Sequence, residues 1–156
     1  MKIVVISDTH GSVMAMKKIK PFLKNADVLI HLGDDSNDVN ALMGDFNGEI
    51  YTVRGNCDLV GNNPKCRVEN IGGKKFYMTH GHDSNVNYGL TNLIYKGLEA
   101  EADVMLFGHT HIATIESEEN MWIINPGSAA KPRAGKPSIA EIVVQGDEVL
   151  ASIINI

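Results

Sequence analysis

The feature that most restricts the fold of this chain is an arrangement that it repeats five times. Each time, an apolar run of the kind found in buried strands ends at a short segment rich in aspartate, histidine, asparagine and glycine. The segments are Asp8-Thr9-His10, Gly33-Asp34, Gly55-Asn56-Cys57-Asp58, His80-Gly81-His82 and Gly108-His109-Thr110-His111. Because ligand sites of open α/β sheets form outside the carboxyl ends of the strands, we expect the five segments to converge on one site.

The first third of the chain alternates between strand patterns and helix patterns. Residues 3–7, 27–32 and 49–53 are runs typical of strands, and the first two are mostly apolar, as in buried strands. A helix is predicted from Ser12, a suitable N-cap residue, to about Lys24, and a short one from about Asp38 to Met43. Strands that alternate with helices indicate a parallel sheet and an α/β fold.

The pattern changes in the second half of the chain. Strands at 67–71 and 75–79 flank Gly72-Gly73, which predicts a hairpin. A longer helix is predicted from about Val86 to Ala100, and it leads into a further buried strand at 103–107. The last third carries strand patterns at 113–116, 122–124, 139–144 and 149–154, and we expect mostly antiparallel pairing there.

Length and composition exclude several classes of protein. The chain has 156 residues, of which 44% are hydrophobic and 21% charged, and we expect a single domain over residues 1–156. No apolar run approaches the roughly 20 residues that span a bilayer, so we expect no membrane association. Two cysteines give no disulfide framework and favour a reduced, cytoplasmic setting. The net charge of −5 argues against nucleic acid as a partner.

The side chains of the five segments indicate a particular kind of metal site. Imidazole suits zinc, iron, nickel and copper, whereas carboxylate oxygen suits manganese. Four histidines, two aspartates and an asparagine amide are too many ligands for one tetrahedral zinc ion. They suit two octahedral ions that share a carboxylate and lie about 3.5–4 Å apart. Such a pair hydrolyses phosphate esters with an activated water, and it requires no serine or cysteine nucleophile.

The same segments, in the same order, resemble the motifs of the calcineurin-like metallophosphoesterase superfamily. The matching positions are Asp8-x-His10, Gly33-Asp34, Gly55-Asn56, His80-Gly81-His82 and Gly108-His109-x-His111. Within the superfamily, Asn125-Pro126-Gly127-Ser128 and Pro132-Arg133 resemble segments of the small bacterial and archaeal phosphodiesterases of the YfcE type. The resemblance implies a four-layer αββα sandwich of two mixed β-sheets flanked by helices. It also implies hydrolysis of a small phosphodiester by a metal-bridging hydroxide at a dinuclear centre.

The resemblance implies a role for each residue of the site. One metal ion would be held by Asp8, His10 and His111, and the other by Asn56, His80 and His109. Asp34 would bridge the two ions, and Asn56 would also contact a phosphate oxygen of the substrate during catalysis. The expected cofactor is a pair of divalent ions, Mn²⁺ first, with Ni²⁺, Fe²⁺ or Zn²⁺ as alternatives. Assembly into a homo-oligomer is a further possibility that the resemblance raises.

Four other positions have roles that the motifs leave open. Many members of the superfamily have a histidine, thought to protonate the leaving group, where this chain has Cys57, a poor general acid. His82 is a candidate for the catalytic proton donor, with a structural role as the alternative. Arg133 lies in a basic loop, where we expect it either to bind a substrate phosphate or to be solvated. His31, inside an apolar run, is expected to be a buried histidine with satisfied hydrogen bonds.

A different class of function is compatible with the same motifs. A protein-binding scaffold like Vps29 has this fold with a degenerate metal site. In this chain none of the seven proposed ligands is missing, which favours the enzyme. A nuclease would share the chemistry of a phosphodiesterase, but the acidic net charge argues against it.

Overall fold

The computed structural model describes residues 1–59 and 62–156, and two five-stranded β-sheets dominate it. The elements follow in chain order as β1 (Lys2–Ile6), α1 (Val13–Leu23), β2 (Val28–His31), β3 (Glu49–Thr52), β4 (Cys66–Ile71), β5 (Lys74–Thr79), α2 (Thr91–Glu99), β6 (Val104–Leu106), β7 (Ala113–Glu118), β8 (Met121–Pro126), β9 (Ser138–Gln145) and β10 (Glu148–Asn155). Short 3₁₀ helices cover Ser36–Ala41, Met43–Asp45 and His82–Ser84.

Both sheets combine parallel and antiparallel strands. The first sheet has the order β10-β9-β1-β2-β3, in which β1, β2 and β3 are parallel and β9 and β10 pair antiparallel. The second has the order β4-β5-β6-β8-β7, with β5, β6 and β8 parallel and the outer strands β4 and β7 antiparallel. The predicted α/β class with two mixed sheets is confirmed.

Alternating side chains of the central strands explain how the sheets and helices form four layers. In β1, Ile3 and Val5 belong to the core between the two sheets, whereas Val4 and Ile6 belong to the core that α1 covers. In β6, Met105 points away from the intersheet core, into a third core that α2 covers. Because both faces of these strands are buried, their sequences are continuous apolar runs. The layers confirm the αββα sandwich.

Helix α1 begins as the sequence predicts. The hydroxyl of Ser12 accepts a hydrogen bond from the backbone N–H of Ala15 at 3.2 Å, which satisfies one free donor of the first turn. The predicted short helix at 38–43 is replaced by two 3₁₀ helices, over Ser36–Ala41 and Met43–Asp45. Among the described residues, no helix is both long and apolar enough to span a membrane.

The predicted helix from Val86 to Ala100 is wrong in its first five residues. Helix α2 begins only at Thr91. Gly89 has a φ of 146°, which lies outside the helical region and which residues with a side chain rarely adopt, so a helix cannot pass through it. Residues 85–90 therefore form a loop between the 3₁₀ helix and α2. This loop brings Asn87 to the ends of the strands, where its side chain contacts His109.

Candidate metal centre

The carboxyl ends of β1, β2, β3, β5 and β6 bring the five polar segments together. One group of donor atoms comes from Asp8, His10, Asp34 and His111, whose ligand atoms all lie within 4.8 Å of one another. His111 Nε2 is 3.1 Å from Asp8 Oδ1 and 3.3 Å from His10 Nε2. His10 Nε2 is 3.9 Å from Asp34 Oδ2. The two carboxylates are buried and the two imidazoles half-buried, so these donor atoms are largely withdrawn from water.

A second group of donor atoms surrounds His80. The Nε2 atom of His80 is 3.1 Å from Asn56 Oδ1, 3.2 Å from His109 Nδ1 and 3.4 Å from Asp34 Oδ1. Asp34 therefore presents Oδ2 to the first group and Oδ1 to the second. A carboxylate shared by two ions requires an arrangement of this kind.

Backbone carbonyls fix the orientation of two of the imidazoles. His80 Nδ1 donates to the carbonyl of Leu32 at 2.8 Å, and His111 Nδ1 donates to the carbonyl of Lys131 at 2.6 Å. Because a carbonyl can only accept, the proton of each neutral ring lies on Nδ1 and the lone pair of Nε2 faces the site. Both rings could hold a cation without rotating.

The environment of Asp8 favours a cation in contact with its carboxylate. Oδ1 is buried and, although it lies 3.1 Å from His111 Nε2, it accepts no well-aligned hydrogen bond from a described residue. An unpaired buried carboxylate oxygen is costly. Burial raises the pKa of Asp8, but contact with His111 and the charge of His80 outweigh burial and hold that pKa below its ordinary value. The mixed oxygen and nitrogen donors fit divalent first-row metal ions.

Five of the seven candidate ligands have a left-handed backbone conformation. Their φ angles are 53° at Asp8, 47° at His10, 60° at Asp34, 68° at His109 and 59° at His111. Such conformations cost residues with a side chain about 1–3 kcal/mol each and are concentrated at functional sites. Each of these residues follows a strand end, and the turns bring their side chains to the shared centre. Among the described residues, these five make up half of the ten non-glycine residues that have a positive φ.

Glycine is required where two of the strand ends approach each other. A Cβ at Gly55 would collide with Asp34 Oδ1, and a Cβ at Gly33 would lie 2.9 Å from His80 Nδ1. Gly33 also has a φ of 100°, which favours glycine. These two glycines make room for a carboxylate and an imidazole of the candidate site.

Asp58 supports the site through the backbone, a role that sequence reasoning missed. Its carboxylate accepts hydrogen bonds from the backbone N–H groups of Asp34 at 3.0 Å, Ser36 at 2.8 Å and Gly55 at 2.7 Å. Asp58 thereby connects the turn after β2 to the turn after β3. The available signal was an aspartate close behind a glycine, which is equally typical of an ordinary turn.

Asn125 and Ser128 hold the first and last motifs in place. Asn125 Nδ2 donates to the carbonyl of Gly108 at 2.9 Å and to Thr110 Oγ1 at 3.0 Å. Ser128 Oγ donates to the carbonyl of Asp8 at 2.8 Å. Both side chains are fully buried. From the sequence, this segment contributes only to the family resemblance. Its hydrogen bonds could not be predicted, because no local pattern shows that β8 lies beside β6.

His82 lies next to the second group of donors. The centroid of its ring is 5.4 Å from that of His80 and 6.1 Å from that of His109. Its Nε2 is 3.1 Å from Asp83 Oδ1, while its Nδ1 is buried and has no hydrogen-bond partner among the described residues. The position is compatible with both roles considered for this residue.

Arg133 adjoins the candidate ligand His111, and Cys57 adjoins the candidate ligands Asp34 and Asn56. The backbone N–H of Arg133 donates to the carbonyl of His111 at 3.0 Å, and its side chain is exposed. Cys57 is also exposed, and its backbone N–H donates to Asp34 Oδ1 at 2.8 Å. Burial and the adjacent Asp34 carboxylate raise the pKa of the Cys57 thiol to about 11.

His31 is the buried histidine with satisfied hydrogen bonds that the sequence predicts. Its Nδ1 accepts from the backbone N–H of Gly33 at 3.1 Å, so its Nε2 carries the proton and donates to Thr9 Oγ1 at 2.9 Å. Burial lowers the pKa of His31 to about 4. The neutral ring connects the turns after β1 and β2 beneath the site.

Comparisons with known proteins bear on the family of the chain. The family model described as the calcineurin-like phosphoesterase superfamily domain matches residues 1–147. A protein of Bacillus subtilis named probable metallophosphoesterase YsnB is 35% identical over 152 residues, which cover 94% of this chain and 86% of the relative. The phosphodiesterase YfcE of Escherichia coli K12 is 27% identical over 165 residues, which cover 88% of this chain and 84% of the relative.

A solved structure has the same architecture. Vacuolar protein sorting 29 from Cryptosporidium parvum matches with a TM-score of 0.86 over 99% of this chain and 91% of that protein, at 20% sequence identity. At this identity the likeness is one of fold alone. It concerns the two sheets and their helices, and leaves function to the residues of the site.

Proposed function

The chain belongs to the calcineurin-like phosphoesterase superfamily, and on that basis we propose that it is a metal-dependent phosphodiesterase with a dinuclear centre. The proposed substrate is a small phosphodiester, as the similarity to phosphodiesterase YfcE supports. The observation that carries the proposal is the position of Asp34, which presents one carboxylate oxygen to each of two groups of donors.

Each group of donors would hold one divalent ion. Asp8, His10 and His111 would hold the first, Asn56, His80 and His109 would hold the second, and Asp34 would lie between them. Mn²⁺ suits the carboxylates and tolerates the imidazoles, with Ni²⁺, Fe²⁺ or Zn²⁺ as alternatives. Two bound ions would supply Lewis-acid activation of water and would neutralise charge on the phosphoryl group.

Residues of the chain would bind and orient the phosphodiester. Asn56 Oδ1 faces His80, while its Nδ2, 3.4 Å from Cys57 Sγ, belongs to an exposed side chain and can donate to a phosphate oxygen. The guanidinium of Arg133 has no ion pair or hydrogen bond with a described residue and can pair with a second phosphate oxygen. The strained turns hold the donors in position before the substrate arrives, which favours catalysis by orientation.

His82 is the proposed catalytic proton donor to the leaving group. The Cys57 thiol, with a pKa raised to about 11, is a weak acid for this task. His82 Nδ1 is a buried imidazole nitrogen beside the site, and it has no hydrogen-bond partner among the described residues. Because Nε2 faces the Asp83 carboxylate, Nδ1 can donate a proton only from the protonated ring, and because Nδ1 is buried, donation also requires a change of the His82 rotamer.

A Vps29-like scaffold, with little or no catalysis, is the second candidate function. Its basis is the fold, which this chain shares with Vps29 of Cryptosporidium parvum at a TM-score of 0.86 and which by itself assigns no function. Against it stand the seven donor residues, which form two groups of closely spaced atoms joined by Asp34. A scaffold has no need for five strained ligand positions, whereas a metal enzyme does.

The proposed function is tested by hydrolysis assays on metal-depleted protein. Cyclic nucleotides, nucleotide diesters, bis(p-nitrophenyl) phosphate and phosphomonoesters form the substrate panel. We expect no activity without metal, recovery on addition of Mn²⁺ or Ni²⁺, and a preference for diesters. Asp34→Ala should remove most of the roughly 10⁶-fold or larger acceleration expected of an enzyme, since it removes the shared ligand of both ions.

The matched control for this experiment is Asp147→Ala, which removes a fully exposed carboxylate in the turn between β9 and β10. It should retain the full activity of the wild-type protein. Metal-loaded protein that hydrolyses no member of the panel would favour the scaffold. Full activity of Asp34→Ala would contradict the proposed dinuclear mechanism.

A further inference from the structure

A cavity of about 510 Å³ opens beside the candidate metal centre. One wall is the loop of residues 85–90, with the side chains of Asn87 and Tyr88. The opposite wall is formed by Thr110, Ile112 and the first residues of β7. The volume lies within the range of about 300–1,000 Å³ that small-molecule sites occupy.

Three residues of the cavity lining adjoin candidate ligands of the metal centre. Asn87 Nδ2 lies 2.9 Å from His109 Nε2, so one lining residue touches a candidate ligand directly. Thr110 lies between His109 and His111 in the chain and lines the cavity. Arg133, also in the lining, is hydrogen-bonded through its backbone to His111. A phosphodiester bound at the centre would have room to extend one of its groups into the cavity.

The lining of the cavity includes exposed aromatic and apolar side chains. The ring of Tyr88 is 94% exposed and the side chain of Ile112 is 43% exposed. A tyrosine that packs against nothing is unusual for an aromatic side chain, and it gives a flat surface on which another ring can stack. The buried Phe107 forms an apolar part of the lining.

The charged residues of the lining indicate a neutral occupant. Arg133 and Glu116 contribute one positive and one negative side chain, and neither has an ion pair or hydrogen bond with a described residue. Arg133 can reach toward the phosphate, whereas Glu116 would repel a further anionic group. Glu116 could instead accept a hydrogen bond from a ring that carries a donor.

We infer that this cavity, here called the ester pocket, binds the ester group that stays on phosphorus, and that this group is a planar ring. The inference rests on the proposed phosphodiesterase function and names its substrate class: aryl or nucleoside phosphodiesters. His82, the proposed proton donor to the leaving group, does not line the ester pocket. The leaving group therefore belongs on the His82 side, and the retained ester on the Tyr88 side.

Three diesters with one leaving group test the inference. Methyl, phenyl and thymidine 5′-(p-nitrophenyl) phosphate all release p-nitrophenol and differ only in the retained ester. We expect the wild-type kcat/KM to be higher for the phenyl than for the methyl ester by about ten-fold or more. The reason is that the phenyl ring can stack on the ring of Tyr88, whereas the methyl group cannot. Tyr88→Ala should bring the ratio close to one. Tyr95→Ala, which removes a 66%-exposed tyrosine of α2 outside the ester pocket, should leave the ratio unchanged.

The thymidine ester shows whether the ring that binds in the ester pocket belongs to a nucleoside or to an aryl group in general. A preference for thymidine over phenyl that Glu116→Gln reduces assigns a nucleoside, and equal rates assign an aryl group in general. A phenyl-to-methyl ratio near one in the wild-type protein, or one that Tyr88→Ala leaves unchanged, overturns the inference. A loss of activity in Tyr88→Ala that is equal for all three esters also overturns it, since the pocket would then hold the leaving group.

Binding measurements separate this inference from the proposed function. If the metal-loaded protein hydrolyses none of the diesters, the proposed function fails, and phenyl phosphate and methyl phosphate are compared by NMR titration. Tighter binding of phenyl phosphate that is lost in Tyr88→Ala supports the ester pocket without turnover. Equal affinity for the two phosphates overturns it.

Discussion

His109 and His111 are separated by one residue, but their rings contact different partners. His109 Nδ1 lies 3.2 Å from His80 Nε2, whereas His111 Nε2 lies 3.1 Å from Asp8 Oδ1. Both residues have left-handed backbone conformations, with φ angles of 68° and 59°. The backbone therefore turns sharply twice within three residues, and one short motif reaches both groups of donors.

The left-handed conformation of His10 leads to a prediction about stability. In metal-free protein, His10→Gly should be more stable than His10→Ala by about 1 kcal/mol, because a Cβ is strained at a φ of 47°. Urea unfolding of the two variants measures the difference. At Lys17, an exposed position inside α1, the order should reverse, with glycine less stable than alanine by about 1 kcal/mol. A more stable alanine variant at position 10 would show that the backbone there is not strained.

Asp58 should matter for both stability and metal binding. Asp58→Ala leaves three backbone N–H groups without their acceptor, so we expect a loss of about 2–4 kcal/mol in the free energy of unfolding. The affinity for Mn²⁺ should fall about 10–100-fold, because the turns that carry Asp34 and Asn56 lose their connection. Chemical denaturation and metal titration measure the two effects. Unchanged Mn²⁺ affinity in a folded Asp58→Ala protein would contradict this role, and Asp147→Ala is the control.

Buried, neutral His31 should make the metal-free protein less stable in mild acid. Its pKa is about 4 in the folded protein and 6.5 in an unfolded chain, so the unfolded state binds more protons between these values. The contribution is fully present above pH 6.5, falls as the pH is lowered, and is lost by pH 4, for a total of about 3 kcal/mol. Protonation would also place a second N–H against the backbone N–H of Gly33.

The measurement for His31 is urea unfolding from pH 7 to pH 4 in the presence of a chelator. His31→Gln, which can keep an acceptor and a donor, should show a smaller fall in stability than the wild-type protein over this range. Parallel pH profiles of the two proteins would mean that His31 titrates normally in the folded state.

The proposed proton donor predicts a dependence on the leaving group. His82→Asn should lower kcat about 10²-fold or more for diesters with an alkoxide leaving group, which needs a proton. It should have a small effect on p-nitrophenyl esters, whose leaving group departs as a stable anion. Rates measured over a series of leaving groups give the comparison. An equal effect of His82→Asn on both kinds of ester would assign His82 a structural role.

Much of the site could be predicted because strands that are buried on both faces have a recognisable apolar sequence pattern. The run before Asp8 and the run before Gly108 are continuously apolar because both faces of β1 and β6 are covered. Polar residues directly after such runs must lie at the sheet edge. Glycines such as Gly55 mark close approaches that no other residue permits.

Other features could not be predicted because they depend on partners distant in the chain. Asn125 reaches Gly108 only because β8 lies beside β6, and Asp58 reaches Asp34 only because β3 lies beside β2. The sequence predicts a helix over residues 86–90 because their apolar spacing continues that of α2, and a single Gly89 is a weak signal against a helix. The loop of residues 85–90 forms a wall of the ester pocket.

The number of Mn²⁺ ions bound per chain at saturation tests the central claim most directly. Equilibrium dialysis followed by elemental analysis gives this number for the wild-type protein and for Asp34→Ala. Because Asp34 faces both groups of donors, we expect two ions per wild-type chain and fewer than two in the variant. One ion or none per wild-type chain at saturating Mn²⁺ would contradict it.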